Sequence, residues 1–328
     1  MTPGQNPKGG GPQAEMVVQT SADIFIVIPC FNAVVTIGET IESTQQQGQV
    51  EYGVIVVDDG STDGSLSVAR TFDSVTTVIE GPHWGVSAAR NRGITETRSE
   101  WIVFLDADDS LLPGTLQRRL ETARATNADV IICDWQDQIE TGDGTVTGAI
   151  RSVDMNVLAA DAEIACATTV WVTTAALMYR RTLVEKIGGF RDDLPIIQDA
   201  RFLFDAAHLG ARFAYSPHIG ARYRVQAGSL SRRDPARFWR DVLVNGKQIE
   251  ALWRARSPLS TTQLEALRGI YDHAGRGLLA AAHSDYFEAV SCQRSLGLQP
   301  TLHSRIATPL ARAVGLRPAR QLLRMAGR

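Results

Sequence analysis

The sequence lacks several features that would assign the protein to a class at once. Its most apolar stretch, Val157–Met178, is interrupted by Asp161 and Glu163, so it falls short of the roughly 20 residues that span a bilayer. The first twenty residues lack the apolar core of a signal peptide. The formal net charge is -3, which argues against a nucleic-acid-binding surface. We therefore expect a globular protein with no nucleic-acid partner.

Cysteine is also scarce, with 4 in 328 residues. None of the four has a zinc-site or redox-motif spacing to another, so we expect reduced thiols in a cytosolic protein. The rest of the composition, 44% hydrophobic and 21% charged, is ordinary for one large or two smaller globular domains. Residues 1–22 are rich in Gly, Pro and Gln, which is typical of a disordered tail.

The first half of the chain alternates between two periodicities. Strands that alternate with helices predict crossover connections and a mostly parallel sheet with helices on both faces, an α/β fold. Apolar runs predict strands at 23–30, 52–61, 74–81 and 101–106, and helical spacing predicts helices at 34–47, 66–72, 85–97 and 115–126.

The second half is less regular, and we divide the chain into an α/β domain, 23–231, and a helical C-terminal region with a basic tail, 232–328. Trp84 and Trp171 are expected to fill the core, although each could instead stack on a ligand such as a sugar. The patterns predict a strand at 128–136, a turn-rich segment at 141–148, helices at 159–167 and 182–187, an amphipathic helix at 198–210 with a Gly cap, two short strands around 216–220, and helices from 235 onward.

Polar side chains follow the predicted strands where each one ends. Pro29 and Asn32 follow the first strand, Asp58 and Asp59 the second, and the acidic run 106–109 the fourth. Ligands of parallel sheets bind beyond the carboxyl ends of the strands. The sequence therefore predicts a binding site at this edge of the sheet.

The acidic run is the strongest chemical signal in the chain. Two like charges about 4 Å apart repel by roughly 4 kcal/mol at an effective dielectric near 20. Asp106 and Asp108 flank one residue, so in an extended segment they share a face and can approach one hard cation such as Mg2+ or Mn2+. The alternative is an Asp-rich turn before the helix at 115. A similar alternative exists for Asp58 and Asp59, since "DDGST" is a natural turn and Asp63 can cap the following helix.

Taken in order, these segments resemble the family 2 glycosyltransferases, whose catalytic domain has the GT-A nucleotide-diphospho-sugar transferase fold. The resemblance covers about 23–231, nearly two thirds of the chain. The matching segments are "VIPCFNA" (27–33), "VVDDGSTDGS" (56–65), "GVSAARNRGI" (85–94), "FLDADDSLLPG" (104–114), "IGGF" (187–190) and "QDARFLFDAAHLG" (198–210).

This resemblance implies a role for each matching position. The donor would be a UDP-, GDP- or dTDP-sugar, and the acceptor a saccharide or lipid-linked saccharide. The metal, Mn2+ or Mg2+, would be held by Asp108 with Asp106 and would neutralise the leaving diphosphate. Asp106 is also implied to reach the ribose or a bound water. The implied nucleotide-side residues are Pro29, Asn32, Asp58 as acceptor from the base, Asp59 and Arg90.

The catalytic base implied by the resemblance is Asp199, which would take the proton of the acceptor hydroxyl. A single base implies direct displacement with inversion. The alternative for Asp199 is an N-cap of its helix. Relatives commonly have Glu where this chain has Gln198, which puts any acceptor-binding role of that position in doubt.

A second departure concerns the metal. Many relatives have a histidine where Gln226 stands, and Gln226 is a poor substitute as a ligand, so we expect a weakly held metal. His218 is interpreted as a surface turn residue. Four nearby arginines either serve the diphosphate or are solvated, namely Arg222, Arg224, Arg232 and Arg233.

The C-terminal region departs from the processive members of the family. "ARFWRD" (236–241) does not match their Gln-x-x-Arg-Trp motif, so we expect one sugar per encounter. The basic tail either touches an anionic membrane surface, which would put the protein at the inner face of the membrane, or is solvated. Because Pro309 and Pro318 interrupt it, a continuous surface helix is not expected.

Two other functions remain open. "DADDS" fits the Asp-x-Asp-x-Ser pattern of haloacid-dehalogenase-type phosphatases, but their motif follows the first strand, and here three strand-helix units precede it. The other alternative is a binding module that keeps the nucleotide pocket without turnover, which Gln198 and Gln226 bring into consideration.

Overall fold

The structure is a computed structural model that describes residues 22–142, 144–226, 228, 230–299 and 301–325. The predicted N-terminal tail, 1–22, lies outside the described residues except for Ala22. The last three residues of the basic tail also lie outside them.

The first half of the fold is a parallel sheet in the order β3-β2-β1-β4. Every residue of β1 is buried, because β2 and β4 flank it and helices cover its faces. This explains why its sequence is a continuous apolar run rather than an alternating one. The strands are β1 Ile24–Cys30, β2 Tyr52–Asp58, β3 Thr77–Glu80 and β4 Trp101–Phe104.

A helix follows each of these strands, as predicted. The parallel alternation of strands and helices is therefore confirmed, although most elements are shorter than the patterns indicated. The helices are α1 Ile37–Ser43, α2 Ser65–Ala69, α3 Val86–Glu96 and α4 Thr115–Thr126.

Beyond β4 the sheet is mixed, so the expectation of a mostly parallel sheet holds only for its first half. The order continues β4-β8-β6-β9-β5, with β7 paired to β6, and β6–β9 is parallel while the other pairings are antiparallel. The strands are β5 Ser110–Leu111, β6 Val130–Thr141, β7 Gly144–Arg151, β8 Leu177–Arg180 and β9 Phe213–Val225.

Two predictions for this half were wrong. The turn-rich segment 141–148 lies largely in the β6–β7 hairpin. The two short strands around 216–220 are one strand, β9, because it follows β6 through register shifts at Asp134 instead of ending at Pro217. A bulge can absorb such a break in the alternating pattern.

The middle helices frame the end of the sheet. The helix predicted at 159–167 is two helices, because Asp161 is extended and its side chain accepts a hydrogen bond from the Ile164 amide. The amphipathic helix predicted at 198–210 is confirmed, with Gly210 at φ 74° after it. The elements are α5 Met155–Ala160, α6 Ala162–Thr168, a 3-10 helix Thr174–Ala176, α7 Arg181–Ile187, α8 Gln198–His208 and α9 Leu230–Arg233.

The C-terminal region is helical, as predicted, and packs onto α8. Phe238 lies against the apolar loop residues that precede α8, and the Asp241 carboxylate accepts a 2.9 Å hydrogen bond from the Ile196 amide in the same loop. The helices are α10 Pro235–Arg256, α11 Thr261–Ala280, α12 Tyr286–Ser295, α13 Leu302–Val314 and α14 Leu316–Met325.

The basic tail is interrupted, but not where the prolines predicted. Pro309 lies inside α13. The chain breaks instead at Gly315, at φ 85°, and Pro318 lies in the first turn of α14, where a missing amide hydrogen costs little. Over the described residues, no helix combines the length and apolar character that crossing a bilayer requires.

Candidate active site

The first acidic turn follows β2 and is held mainly by backbone amides. Asp58 Oδ1 accepts a hydrogen bond from the Ser61 amide at 3.0 Å. Asp59 accepts from the Trp84 amide at 2.6 Å and the Gly85 amide at 2.8 Å. Both carboxylates are at most 3% exposed. Asp59 thereby anchors the segment that leads into α3.

One oxygen in this turn remains available. Asp58 Oδ2 is buried and has no hydrogen-bond partner among the described residues. Burying an unpaired acceptor costs roughly 1–3 kcal/mol, which is the cost that a ligand donor such as a base N–H would remove. This observation fits the role implied for Asp58.

The loop after β1 is hydrogen-bonded to the acidic turn after β2 through Asn32. Asn32, at φ 49°, accepts a hydrogen bond from the Thr62 backbone amide at 2.9 Å through its side-chain Oδ1. The backbone amide of Asn32 donates to Ser61 Oγ at 2.9 Å. Pro29 is buried in β1 opposite Val57. Both therefore lie beside Asp58, although Asn32 is engaged with protein rather than free for a nucleotide.

The second acidic turn follows β4 and is built from side-chain contacts. Asp106 pairs with the Arg90 guanidinium. Asp108 Oδ2 accepts from Gln226 Nε2 at 2.7 Å. Asp109 is 2% exposed and accepts from the Arg224 amide at 2.9 Å and Thr173 Oγ1 at 3.0 Å. Asp109 is thus structural, whereas Asp106 and Asp108 remain partly exposed.

Charge in this turn is poorly balanced. Burial, together with the charge of Asp106, raises the pKa of Asp108 to about 6. Burial and the charges of Asp108 and Asp106 raise the pKa of Asp109 well above its ordinary value. Both shifts arise because burial disfavours ionised carboxylates that lie close together. The turn therefore favours a bound positive charge.

Arg90 connects the second turn to the helix of the candidate base. Its side chain is 1% exposed, and its guanidinium donates to both Asp106 and Gln198 Oε1. The guanidinium carbon also lies 5.0 Å from the Phe190 ring centre. Gln198 thus gives Arg90 a hydrogen-bond acceptor without adding a second carboxylate. Because Gln198 is only 5% exposed, its side chain is not accessible to an acceptor substrate.

The "IGGF" segment provides this geometry through its glycines. Gly189 has φ 98°, and a Cβ there would lie 2.6 Å from Asn91 Oδ1. The tight turn lets Asn91, on α3, bond the Phe190 backbone at both its amide, 2.7 Å, and its carbonyl, 2.9 Å. Phe190 then stacks on Phe202 at 4.1 Å and 8°, which docks α8.

Asp199 lies in the first turn of α8, partly exposed, directly after Gln198, which Arg90 holds. Burial raises the pKa of Asp199, Arg90 opposes the shift, and Asp106 adds to it. The residue before α8 is Ile197, so Asp199 is not the N-cap of the helix. A carboxylate with a raised pKa at a strand-end site is suited to accept a proton.

Residues near Asp108 differ from expectation. Arg224 is only 7% exposed and is paired with Glu39 and Glu140, so it braces the turn and is not a solvated arginine. His218 is not a surface turn residue: it lies in β9, with Thr115 Oγ1 2.8 Å from Nε2 and Ser216 Oγ 3.1 Å from Nδ1.

The other three arginines of this region, Arg222, Arg232 and Arg233, are exposed. Arg232 Nη1 donates to the Gln226 carbonyl at 3.3 Å, so it contacts the same segment as the acidic turn. Their sequence positions did not separate them from Arg224. The sequence carries no such signal, because Arg222 and Arg224 are two positions apart in β9 and alternation alone would place them on the same face.

The donor set fits a divalent cation that a substrate completes. Among the described residues, no group of three or more His, Cys, Asp or Glu side chains is arranged to hold a metal by itself. Mg2+ and similar ions are often held by one or two carboxylates together with substrate phosphates and water. Asp108 and Asp106 supply such carboxylates, and the excess negative charge of their turn is the observation that favours this fit.

Of the two alternatives for Trp84 and Trp171, the favoured one, a place in the core, was wrong. Trp84 is 47% exposed and Trp171 is 45% exposed. Each lies on a loop beside one of the acidic turns, where a strand or helix no longer covers it. In the sequence, the available signal for this exposure was that each tryptophan lies in a loop next to the site predicted at the strand ends.

Known proteins are similar to this chain in sequence. The sequence profile of the family described as "Glycosyl transferase family 2" matches residues 25–188, which is half of the chain. The succinoglycan biosynthesis protein ExoO of Rhizobium meliloti (strain 1021) is 28% identical over 231 residues, 64% of this chain. The matched region covers 63% of that relative's own length, less than two thirds.

Solved structures share the fold. The chain is similar to S. aureus TarS 1-349 in complex with UDP-GlcNAc, with a TM-score of 0.64 over 91% of this chain and 89% of that chain at 17% identity. It is also similar to the mannosyltransferase PcManGT from Pyrobaculum calidifontis in complex with GDP-Man and Mn2+, with a TM-score of 0.57, 94% and 84% coverage and 19% identity. The predicted GT-A fold with C-terminal helices is thereby confirmed.

Proposed function

The chain belongs to glycosyltransferase family 2, and on this basis we propose that it moves one sugar from a nucleoside-diphosphate sugar to an acceptor hydroxyl. The observation that carries the proposal is the Arg90 bridge, which joins the acidic turn after β4 to the helix of Asp199. The carboxylates that are proposed to bind the donor and the candidate base therefore lie around the buried guanidinium of Arg90.

Asp199 would act as the general base. It takes the proton from the acceptor hydroxyl while that oxygen attacks the anomeric carbon. Arg90 keeps Asp106 and α8 in a fixed relation and moderates the raised pKa of Asp199. Because we identify one base and no nucleophile behind the sugar carbon, the expected stereochemical outcome is inversion.

The donor would lie along the two acidic turns. Asp58 would accept a hydrogen bond from the base through its unpartnered Oδ2, with Pro29, Asn32 and Asp59 forming that side of the pocket. Asp108 with Asp106 would hold Mn2+ or Mg2+ near the diphosphate. When bound, the cation neutralises charge that develops on the leaving group. The proposed donor is a UDP-, GDP- or dTDP-sugar.

The acceptor is proposed to be a saccharide or lipid-linked saccharide in surface or exopolysaccharide synthesis, in keeping with the name of the relative ExoO. Since "ARFWRD" does not match the motif of processive members and forms the start of α10, we expect a single addition per encounter.

The C-terminal helices suggest a location at the cytoplasmic membrane surface. In α14, Leu322 and Met325 are 46% and 79% exposed beside the exposed arginines Arg317 and Arg324. Basic and apolar side chains together favour contact with an anionic bilayer. A cytoplasmic protein that binds this surface peripherally would meet lipid-linked acceptors there.

The proposal is tested by Asp199→Asn. Wild-type protein, screened by thermal shift with nucleotide sugars and Mn2+ and then assayed for nucleotide release, should hydrolyse or transfer from at least one donor. The variant should lose roughly 1,000-fold in turnover while binding the same nucleotide. Asp192→Asn, a matched change at an exposed aspartate of the loop before α8, should retain turnover.

The opposite outcome favours the binding-module alternative. If wild type binds nucleotide but turns over no UDP-, GDP- or dTDP-sugar, the enzymatic proposal fails. The phosphatase alternative has lost its support, because the acidic run follows the fourth strand of the sheet and not the first.

A further inference from the structure

Trp171 presents an aromatic surface beside the candidate active site. It lies in the loop between α6 and the 3-10 helix and is 45% exposed. Single exposed apolar residues are common and need no special role. What distinguishes Trp171 is how its ring is held and what lies next to it.

Two rings fix the orientation of Trp171. Trp135, on β6, contacts it edge-on at 5.8 Å and 77°, and Tyr223, on β9, at 5.3 Å and 74°. Trp135 is 3% exposed, so the indole rests on a rigid base. A solvent-exposed ring that is held in this way loses little conformational freedom when a ligand stacks on it.

The same aromatic cluster borders the reacting groups. Tyr223 directly precedes Arg224, whose backbone amide donates to Asp109 Oδ1 at 2.9 Å. Burial and the charges of Asp109, Asp108, Asp106 and Asp199 raise the pKa of Tyr223 to about 12. Thr173, two residues after Trp171, donates to Asp109 Oδ2 at 3.0 Å. The Trp171 loop is therefore anchored directly to the second acidic turn.

Its position in the sheet separates it from the nucleotide side. Asp58, Asp59 and Asn32 follow β2 and β1, on one side of β4. Trp135 and Tyr223 belong to β6 and β9, on the other side of β4. A ligand at Trp171 thus approaches the carboxylates from the side opposite the proposed base pocket.

We infer that Trp171, supported by Trp135 and Tyr223, forms the acceptor subsite and stacks against the apolar face of a pyranose ring of the acceptor. This inference rests on the proposed function. The C–H bonds on one face of a hexopyranose form an apolar patch, and an indole is the side chain with the largest complementary surface. The acceptor is therefore a saccharide. The ring that stacks on Trp171 is either the ring that carries the attacking hydroxyl or the ring next to it.

Trp171→Ala and Trp171→Phe test the inference. The probes are p-nitrophenyl hexopyranosides as acceptors, with the donor found by the nucleotide-sugar screen. Trp171→Ala should raise the acceptor KM roughly tenfold, and Trp171→Phe should stay within about threefold of wild type. Donor hydrolysis in the absence of acceptor, and the donor KM, should stay within about twofold in both variants.

Leu209→Ala is the matched control, since Leu209 is 48% exposed and lies beyond the far end of α8; its acceptor KM should not change. An unchanged acceptor KM in Trp171→Ala overturns the inference. So does an equal loss of hydrolysis and transfer, which would assign the ring to the donor. If wild type performs neither reaction, the proposed function fails first, and this inference fails with it.

Discussion

The two acidic turns lie at the same edge of the sheet, on either side of β1, and they are stabilised in opposite ways. In the turn after β2, backbone amides from Ser61, Trp84 and Gly85 satisfy three of the four carboxylate oxygens of Asp58 and Asp59. In the turn after β4, a positively charged side chain reaches Asp106, while Asp108 receives a neutral amide from Gln226.

In the turn after β4, the clustered carboxylates bind protons more tightly than an ordinary aspartate does. The pKa of Asp108 is raised to about 6 and that of Asp109 is raised well above its ordinary value, both mainly by burial. Backbone amides stabilise an ionised carboxylate without adding negative charge nearby, whereas neighbouring carboxylates destabilise it. Among the described residues, the turn after β2 therefore leaves one carboxylate oxygen, Asp58 Oδ2, for a ligand donor, whereas the turn after β4 favours a cation.

The largest expected effect comes from Asp108→Ala. Nucleotide binding with Mn2+ should weaken by roughly 100-fold or more, because the carboxylate that is proposed to bind the metal is lost. With chelator present, wild type and variant should bind nucleotide with similar affinity. Isothermal titration of the nucleotide in both conditions measures this, and equal weakening in both would break the comparison between the turns.

A pH dependence of stability should follow from the same carboxylate. A folded-state pKa raised from 3.8 to about 6 means that the native state of the metal-free protein binds the Asp108 proton more tightly than the unfolded state. The associated stability is present below about pH 4 and is lost as the pH rises through about 6, by at most about 3 kcal/mol.

Asp108→Asn isolates this effect. Urea unfolding in chelator at pH 4.5 and 7.5 should show a smaller loss of unfolding free energy in the variant than in wild type, since Asn does not titrate. The raised pKa values of Asp109 and Asp199 cause a loss of stability in the same direction in both proteins. Identical losses of unfolding free energy in the two proteins would mean that the folded state does not raise the pKa of Asp108.

The smallest expected effect is that of Asp59→Asn, in the turn after β2. An amide retains one acceptor oxygen but turns an N–H2 group toward the other backbone amide, which leaves a donor unsatisfied and costs about 1–2 kcal/mol. The ratio of nucleotide affinities with and without Mn2+ should stay unchanged. A change in that ratio comparable to the effect of Asp108→Ala would show that the two turns share the cation.

Local patterns predicted most of the first half of the fold. Continuous apolar runs of four to seven residues followed by helical spacing identify β1 to β4 and α1 to α4, because burial on both faces imposes that pattern on a parallel strand. The same strand ends identify Asp58, Asp106 and Asp108, whereas the role of Asp199 follows from the resemblance to the family.

The second half was predicted less well, because its pattern depends on distant partners. β9 continues past Pro217 only because β6 accommodates the register shifts. His218 is half-buried beside Thr115, and Arg224 is held by Glu39, 185 positions away in the chain. No window of the sequence contains both members of such pairs, so neither exposure nor partner could be derived from it.

By itself the sequence determined the sheet edge, its acids and the family to which the chain belongs, because these depend on residue types at short spacing. The tertiary structure alone decided which acids are satisfied, that Arg90 joins Gln198 to Asp106, and that Trp171 stays exposed beside them. Those properties are set by burial and by electrostatic energy between groups far apart in the chain, and both exist only once the elements have packed.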